Sequence, residues 1–453
     1  APAFVTSGLA RGMQMKKASQ ALELRPLFID GDKLTGLGPL LTLRGLLPIF
    51  VFELGPGERR VLPELPGYSG PTISLGGIEG AIESARGSLP VWVLPVPDSA
   101  EREVLWRRAL NLPLPSDSGS KGEGRGEGPA DHLIRELAAH HRHTAGRIAQ
   151  LSRLAQHHAA LGERSVPAAA DVTAAAWTSE GAGLDTLAEP LRVAVPDDAL
   201  VVSSLLRAQL DLLVLRCRAR DGLADGLGPA TAVRYRPGVR ALFTGPSGTG
   251  KTLAASWLAT RLALPIYRVD LAGVTSKYIG ETEKNLARLL AAAERDDVIL
   301  LFDEADSLFG KRTDIRDSND RFANAQTNYL LQRIENYDGI VVLTSNSKQR
   351  FDSAFARRLD LVLEFPLPSP EERRALWLAH LGGAHELGPD SLNRLAALAD
   401  VPGGNIRNAV LSAALLARGG GRRIRLSDCT EGLEAEYRKL GRQLPGGLRS
   451  VPM

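Results

Sequence analysis

The octapeptide GPSGTGKT at residues 245–252 constrains this chain more than any other stretch. It matches the pattern G-x-x-x-x-G-K-[ST], follows the apolar run RALFTG (240–245) and leads into the helical pattern TLAASWLATRLA. A strand, a glycine-rich turn and a helix in that order turn backbone N–H groups inward around phosphate oxygens, with the helix dipole behind them. Gly245, Pro246, Ser247, Gly248, Thr249 and Gly250 make the turn. Lys251 is placed to reach the outer phosphates of a nucleotide, and Thr252 to hold Mg²⁺.

The texture around this loop is that of an α/β protein. Apolar runs PIYRVD (265–270), VILLFDEAD (298–306), GIVVLTSN (339–346) and DLVLEF (360–365) alternate with helical patterns, which predicts a parallel sheet covered on both faces. Carboxyl ends of such strands face the ligand. Asp303 emerges there to hold Mg²⁺, and Glu304, one residue on, is the candidate base for an attacking water. Asn346 ends another strand, where its amide can position that water. Arg357 and Arg358 in AFARRLD are cations suited to developing charge, and they lie too far along the chain for their own site, so they are read as serving a neighbour's. From 369 to 440 the pattern is all helix.

Taken together, residues 240–417 resemble an AAA+ ATPase module. The resemblance implies a P-loop NTPase fold with a parallel sheet sandwiched by helices plus a helical lid, ATP and Mg²⁺ as ligands, and a homo-oligomeric ring, a hexamer in related proteins. It makes Gly245–Thr252 the Walker A loop, Asp303 and Glu304 the Walker B pair, Asn346 sensor 1, and Arg357 and Arg358 trans-acting fingers. Arg407, in GGNIR (403–407), takes the sensor 2 place toward the nucleotide. SKYIGETEKN (276–285) resembles the first pore loop, with Lys277, Tyr278, Ile279 and Gly280 at its tip; an aromatic–aliphatic pair grips a polypeptide without regard to its sequence. The wording KYIGETEKN, LFDEADSLFGKR, NDRFAN and YLLQRIENYDG is similar to AAA+ proteins that accompany phage-tail-like contractile injection systems.

The chain also repeats itself. Ala85–Trp106 matches Ala356–Trp377 without a gap at nine of 22 positions, where composition alone would give roughly one or two. With this offset of 271 residues as a ruler, Arg357 falls on Arg86, Arg358 on Gly87 and Asn346 on Leu75. With a two-residue shift Asp30 with Gly31 falls on the Walker B pair, and Gly245 falls before residue 1; past the Gly/Ser insertion the offset drops by 13 to 258, TAGRIA (144–149) matches PGGNIR (402–407), and Ala149 takes the place of Arg407. The reading is a degenerate AAA+-like module over 1–180 that lacks a phosphate loop, a base and a sensor amide, and has a structural role. Arg86 alone keeps a finger's chemistry. SDSGSKGEGRGEGPAD (116–131), within a flexible insertion at 115–131, interrupts it. Residues 181–236 read as a helical linker, 237–368 as the large α/β subdomain and 369–453 as its lid.

Composition narrows the function. The net charge of +3 comes without a concentrated basic run, which argues against nucleic acid and against a helicase or clamp-loader role. No apolar run reaches the roughly 18 residues of a membrane span, no secretory signal is read at the start, and two lone cysteines, Cys217 and Cys429, suit a reducing compartment, so the expectation is cytoplasmic. The chain begins with Ala rather than Met, as a fragment or processed form would. Six of eight histidines, 132, 140, 141, 143, 157 and 158, crowd the first helical region and read as surface helix residues rather than a metal site. The expected function is Mg²⁺–ATP hydrolysis coupled to remodelling of a protein partner; the rival is a nucleotide-gated scaffold with little turnover.

Overall fold

The computed structural model describes residues 3–7, 22–29, 34–52, 54, 58–76, 80–85, 87, 89–93, 96–112, 129–178, 184, 186–274, 281–306, 329–346 and 357–448. The chain builds two similar units in succession, each a parallel sheet followed by four helices. In the first, strands β1 (Ala3–Ser7), β2 (Arg25–Ile29), β3 (Leu46–Val51), β5 (Thr72–Gly76) and β7 (Val91–Val93) form a parallel sheet in the order β2-β3-β5-β1-β7. The short strands β4 (Arg59–Val61) and β6 (Ala81–Glu83) pair separately. Helix α1 (Leu37–Arg44) buries Leu41 against Phe50, Leu62 and Leu65 on one face of the sheet. The helical part is α2 (Ser99–Ala109), α3 (Pro129–His140), α4 (Ala145–Leu161) and α5 (Ala169–Thr178), closed around the fully buried Trp106.

The second unit opens with β8 (Ala188–Pro190), an antiparallel edge strand, and α6 (Ser204–Ala219). The stretch expected to be a helical linker therefore begins as strand and extended chain. Its sheet runs β13-β9-β12-β11-β10-β8, with β9 (Val239–Thr244), β10 (Ile266–Val269), β11 (Ile299–Phe302), β12 (Ile340–Ser345) and β13 (Leu361–Glu364) all parallel. The strands are apolar throughout because both faces are covered. Ile299 and Leu301 pack with α6 and α7 (Lys251–Leu262), around Trp257. Leu300 and Phe302 point the other way, onto Leu286, Leu289 and Leu290 of α8 (Glu281–Asp296). The period-2 alternation of a strand thus feeds two cores from one apolar run. Helices α9 (Pro370–Leu381), α10 (Pro389–Leu398), α11 (Gly403–Gly419) and α12 (Leu426–Lys439) form the lid around the buried Trp377.

The two helical parts agree down to single hydrogen bonds. Helix α2 is capped by the Asp98–Glu101 box and α9 by the Ser369–Glu372 box. Arg102 donates from Nε to Ala138 O (2.8 Å) and from Nη1 to Pro97 O (2.7 Å); Arg373 donates likewise to Ala396 O (2.7 Å) and Pro368 O (2.8 Å). Arg164 forks onto Asp171 as Arg422 forks onto Asp428.

The sheets correspond as well, and they correct two expectations. Read from one edge, β7-β1-β5-β3-β2 matches β13-β9-β12-β11-β10. Strand β1 stands between β5 and β7 as β9 stands between β12 and β13, so the strand that would carry a phosphate loop is present in the first unit. The segment after it, GLARGMQM (8–15), lacks the Gly-Lys-Thr triplet. Likewise β2 is the counterpart of β10, so Asp30 does not correspond to Asp303; β3 takes the place of β11 and runs out at Val51 and Phe52. A fixed offset failed here because β1 to β5 spans residues 3–72 whereas β9 to β12 spans 239–340. Arg86 lies outside the described residues.

The units meet at a polar junction. Arg142, between α3 and α4, donates its backbone N–H to Asp297 Oδ2 (2.8 Å) and its Nη1 to Asp338 O (3.0 Å). Its Nε and Arg102 Nη2 each lie 2.6 Å from Asp221. Asp297 also takes the buried Arg220 guanidinium.

Candidate nucleotide site

Strand β9 delivers the chain to Gly245, and from there the loop wraps the N-terminus of α7. The loop needs its glycines. Gly245 has φ 149°, and a Cβ there would stand 2.0 Å from Phe365 O. Gly248 has φ 79° and packs on the lid, where its carbonyl accepts from Gly404 N at 2.9 Å. A positive φ with another segment of the same chain pressed against the glycine excludes side chains.

Lys251 rises from the first turn of α7 and is 7% exposed. Its Nζ donates to Gly245 O (2.7 Å), Pro246 O (2.9 Å) and Asn346 Oδ1 (3.0 Å). No carboxylate lies within ion-pair distance of it among the described residues, and burial lowers its pKa. A buried cation held by neutral oxygens favours an anion in the cradle. Thr252 Oγ1 stands 3.4 and 3.3 Å from the two carboxylate oxygens of Asp303, at the end of β11. A hydroxyl beside a carboxylate is a hard-oxygen donor set of the kind Mg²⁺ takes. The residues present therefore fit both nucleotide and metal.

Glu304 follows with φ 51°, an uncommon left-handed conformation for a non-glycine residue. Its N–H donates to Thr344 Oγ1 (3.0 Å), while Thr344 Oγ1 donates to Asp303 Oδ1 (2.5 Å). Thr344 thus fixes both acids from β12; its signal in the sequence is a hydroxyl two residues before Asn346, where the apolar run Ile340–Leu343 gives way to polar residues. Asn346 is oriented by its N–H to Asp306 Oδ2 (3.1 Å) and its side chain on Lys251.

The lid completes a cleft of about 360 Å³. Its lining takes in the loop with Asp303, Glu304, Thr344 and Asn346, and also Val202, Leu206, Leu376 and His380. Arg407, from α11, lines the same cleft and depresses the pKa of His380 secondarily to burial. Val202 and Leu206 come from a segment far in the chain from Leu376 and His380, so no contiguous motif announces them.

Arg357 and Arg358 do not line this cleft. Both are exposed just before β13, and Arg358 Nη1 lies 3.3 Å from Glu335 Oε2. Arg358 borders a second cavity of about 490 Å³ shared with Arg216, Arg234, Arg236 and Arg240. Lys277, Tyr278, Ile279 and Gly280 lie outside the described residues.

A parallel sheet whose second-from-edge strand ends in a phosphate cradle, with a helical lid closing on that cradle, defines a P-loop AAA+ module. Comparison with known proteins agrees: residues 241–367 match the family described as "ATPase family associated with various cellular activities (AAA)". The chain is 38% identical over 129 residues to "Uncharacterized AAA family ATPase y4kL" of Sinorhizobium fredii, covering 28% of this chain and 38% of that protein. It is 28% identical over 193 residues to "26S proteasome subunit RPT4" of Saccharomyces cerevisiae, covering 41% and 44%. To "Vacuolar protein sorting-associated protein 4B" of Pongo abelii it is 34% identical over 148 residues, covering 31% and 33%. The chain spans less than half the length of each of these relatives. Among the described residues, no helix is long and apolar enough to cross a membrane.

Proposed function

We propose that the chain is an ATPase that works as a homo-oligomeric ring, hexameric by resemblance, and uses turnover in the cytoplasm to remodel a protein partner. The observation that carries this is the convergence of Lys251, Thr252, Asp303, Glu304 and Asn346 on one cleft under a lid that touches the phosphate loop. Gly245–Thr252 bind the phosphates of ATP, and Lys251 offsets their charge. Bound between Thr252 and Asp303, Mg²⁺ would supply charge neutralisation at the phosphates. Glu304 orients a water and takes its proton, with Asn346 setting the direction of approach. Arg357 and Arg358, outside their own cleft, reach the site of the next subunit. The lid, hydrogen-bonded to Gly248 through Gly404 and carrying Arg407, senses the nucleotide and converts turnover into motion.

The first unit is a degenerate module of the same fold that stabilises the assembly. Its strand order and lid contacts support common architecture, and the missing Gly-Lys-Thr triplet supports loss of hydrolysis. The pore-loop wording at Lys277–Gly280 supports a polypeptide as the object of the work. The sequence wording shared with proteins of contractile injection systems supports a role in assembling or dismantling such an apparatus.

The test is ATP turnover and ATP binding measured side by side. Glu304→Gln is expected to bind ATP and release no phosphate beyond background, and Lys251→Ala to lose both. Binding without turnover in the wild type would instead favour the scaffold.

A further inference from the structure

The junction between the two units holds a group of side chains the ATPase reading does not use. His141 and His143, in the turn between α3 and α4, are buried at 8% and 2% exposure, not on the surface as their helical surroundings suggested. Their rings stack with centroids 5.1 Å apart. Neither Nδ1 has a hydrogen-bond partner. One ligand atom from each, together with a carboxylate oxygen of buried Asp297, lies within 4.8 Å of the others.

The second lid shows that the fold does not need histidines here. The α4 and α11 helices, Ala145–Leu161 and Gly403–Gly419, are each 17 residues long and correspond in sequence at an offset of 258 residues (403 − 145). At that offset His141 corresponds to Ala399 and His143 to Val401, which are buried at 0% and 1%. Apolar side chains fill the same two positions and leave nothing unsatisfied. Two buried imidazoles with orphaned nitrogens cost free energy that Ala and Val avoid.

We propose that His141, His143 and Asp297 bind a divalent transition ion of the Zn²⁺ class, which pins the first unit to the second. Two imidazole nitrogens and one carboxylate oxygen are the donors such an ion takes. Asp297 is held for the task. It has φ 50°, its Oδ1 accepts from Arg220 and its Oδ2 from Arg142 N, and a carboxylate retains further lone pairs on both oxygens. Ligating carboxylates are ordinarily oriented by such outer hydrogen bonds. Ligands about 2.0–2.1 Å from a tetrahedral ion stand about 3.3 Å apart, so binding draws the three ligand atoms, which lie within 4.8 Å of one another, closer together and turns the two parallel rings toward the ion. A water completes the fourth position. The guanidiniums of Arg102, Arg142 and Arg220 nearby are opposed by Asp221 and Asp297.

The test uses the full chain, stripped with a chelator and kept free of nucleotide. Co²⁺ is added, and the visible d–d absorption of a four-coordinate site is followed, with Zn²⁺ as competitor. The expected result is one Co²⁺ per chain, displaced by Zn²⁺, and a rise in Tm on adding Zn²⁺. The double variant His141→Ala/His143→Val copies the second lid; it is expected to fold, to show no such absorption and to gain no Tm from Zn²⁺, while the exposed-site control His132→Ala behaves as wild type. Absence of a four-coordinate Co²⁺ spectrum in the wild type, or its persistence in the double variant, overturns the proposal. If the double variant fails to fold, the wild-type spectrum decides alone.

Discussion

The N–H of Gly404 donates to the carbonyl of Gly248 at 2.9 Å, joining the first turn of a lid helix to the middle of the phosphate loop. The lid is therefore in register with the nucleotide cradle through backbone alone. A Cβ on Gly404 would approach Gly248 Cα to 3.2 Å. Gly404→Val is expected to push the lid off the loop at an overpacking cost of about 1–3 kcal/mol. ATP affinity should fall roughly tenfold, as that energy scale implies, and titration with a non-hydrolysable analogue checks it. Unchanged affinity would mean that lid and loop are independent.

Arg102 and Arg373 hold corresponding corners of the two helical parts, each through carbonyl acceptors given by the helix-entry proline and a neighbouring helix. Buried guanidiniums of this kind leave acceptors stranded when removed. Arg373→Met is expected to destabilise the lid by about 2–4 kcal/mol. Arg102→Met should cost at least as much, because its carboxylate partner, Asp221 of the second unit, is 24% exposed whereas Asp400, the partner of Arg373, is 59% exposed. Denaturant midpoints of the two variants provide the comparison.

Cys217 and Cys429 are buried, and burial pushes both thiols up to about 12. The reactive species is the thiolate, which in the native protein forms only near that pH. At pH 8 a thiol reagent should label neither residue of the folded chain and both after denaturation. Rapid labelling of the native state would show that one of the cores around them opens readily.

The site was legible where chemistry is contiguous in sequence. GPSGTGKT and VILLFDEAD are each a single run, and the structure places Lys251 Nζ 3.0 Å from Asn346 Oδ1 and Thr252 Oγ1 3.4 and 3.3 Å from the two carboxylate oxygens of Asp303. What escaped was assembled from afar. Thr344 orients two acids from another strand, and the lining of the cleft combines Val202 with Leu376 and His380. The repeat is legible from residue 85, where strand, prolines and helix run without a gap to Trp106. It was misaligned before that because one long connection differs, which hid β1 and moved Asp30 to the wrong strand. His141 and His143 are buried in a turn between two helices, where no periodicity in the sequence marks burial.

The most direct measurement is steady-state phosphate release against protein concentration for the wild type beside Arg357→Ala/Arg358→Ala. The account predicts that specific activity rises with concentration as subunits complete one another's sites, and that the double variant binds ATP yet turns over at a small fraction of the wild-type rate. Specific activity that is flat with concentration and equal in the variant, or absent at every concentration, would contradict it.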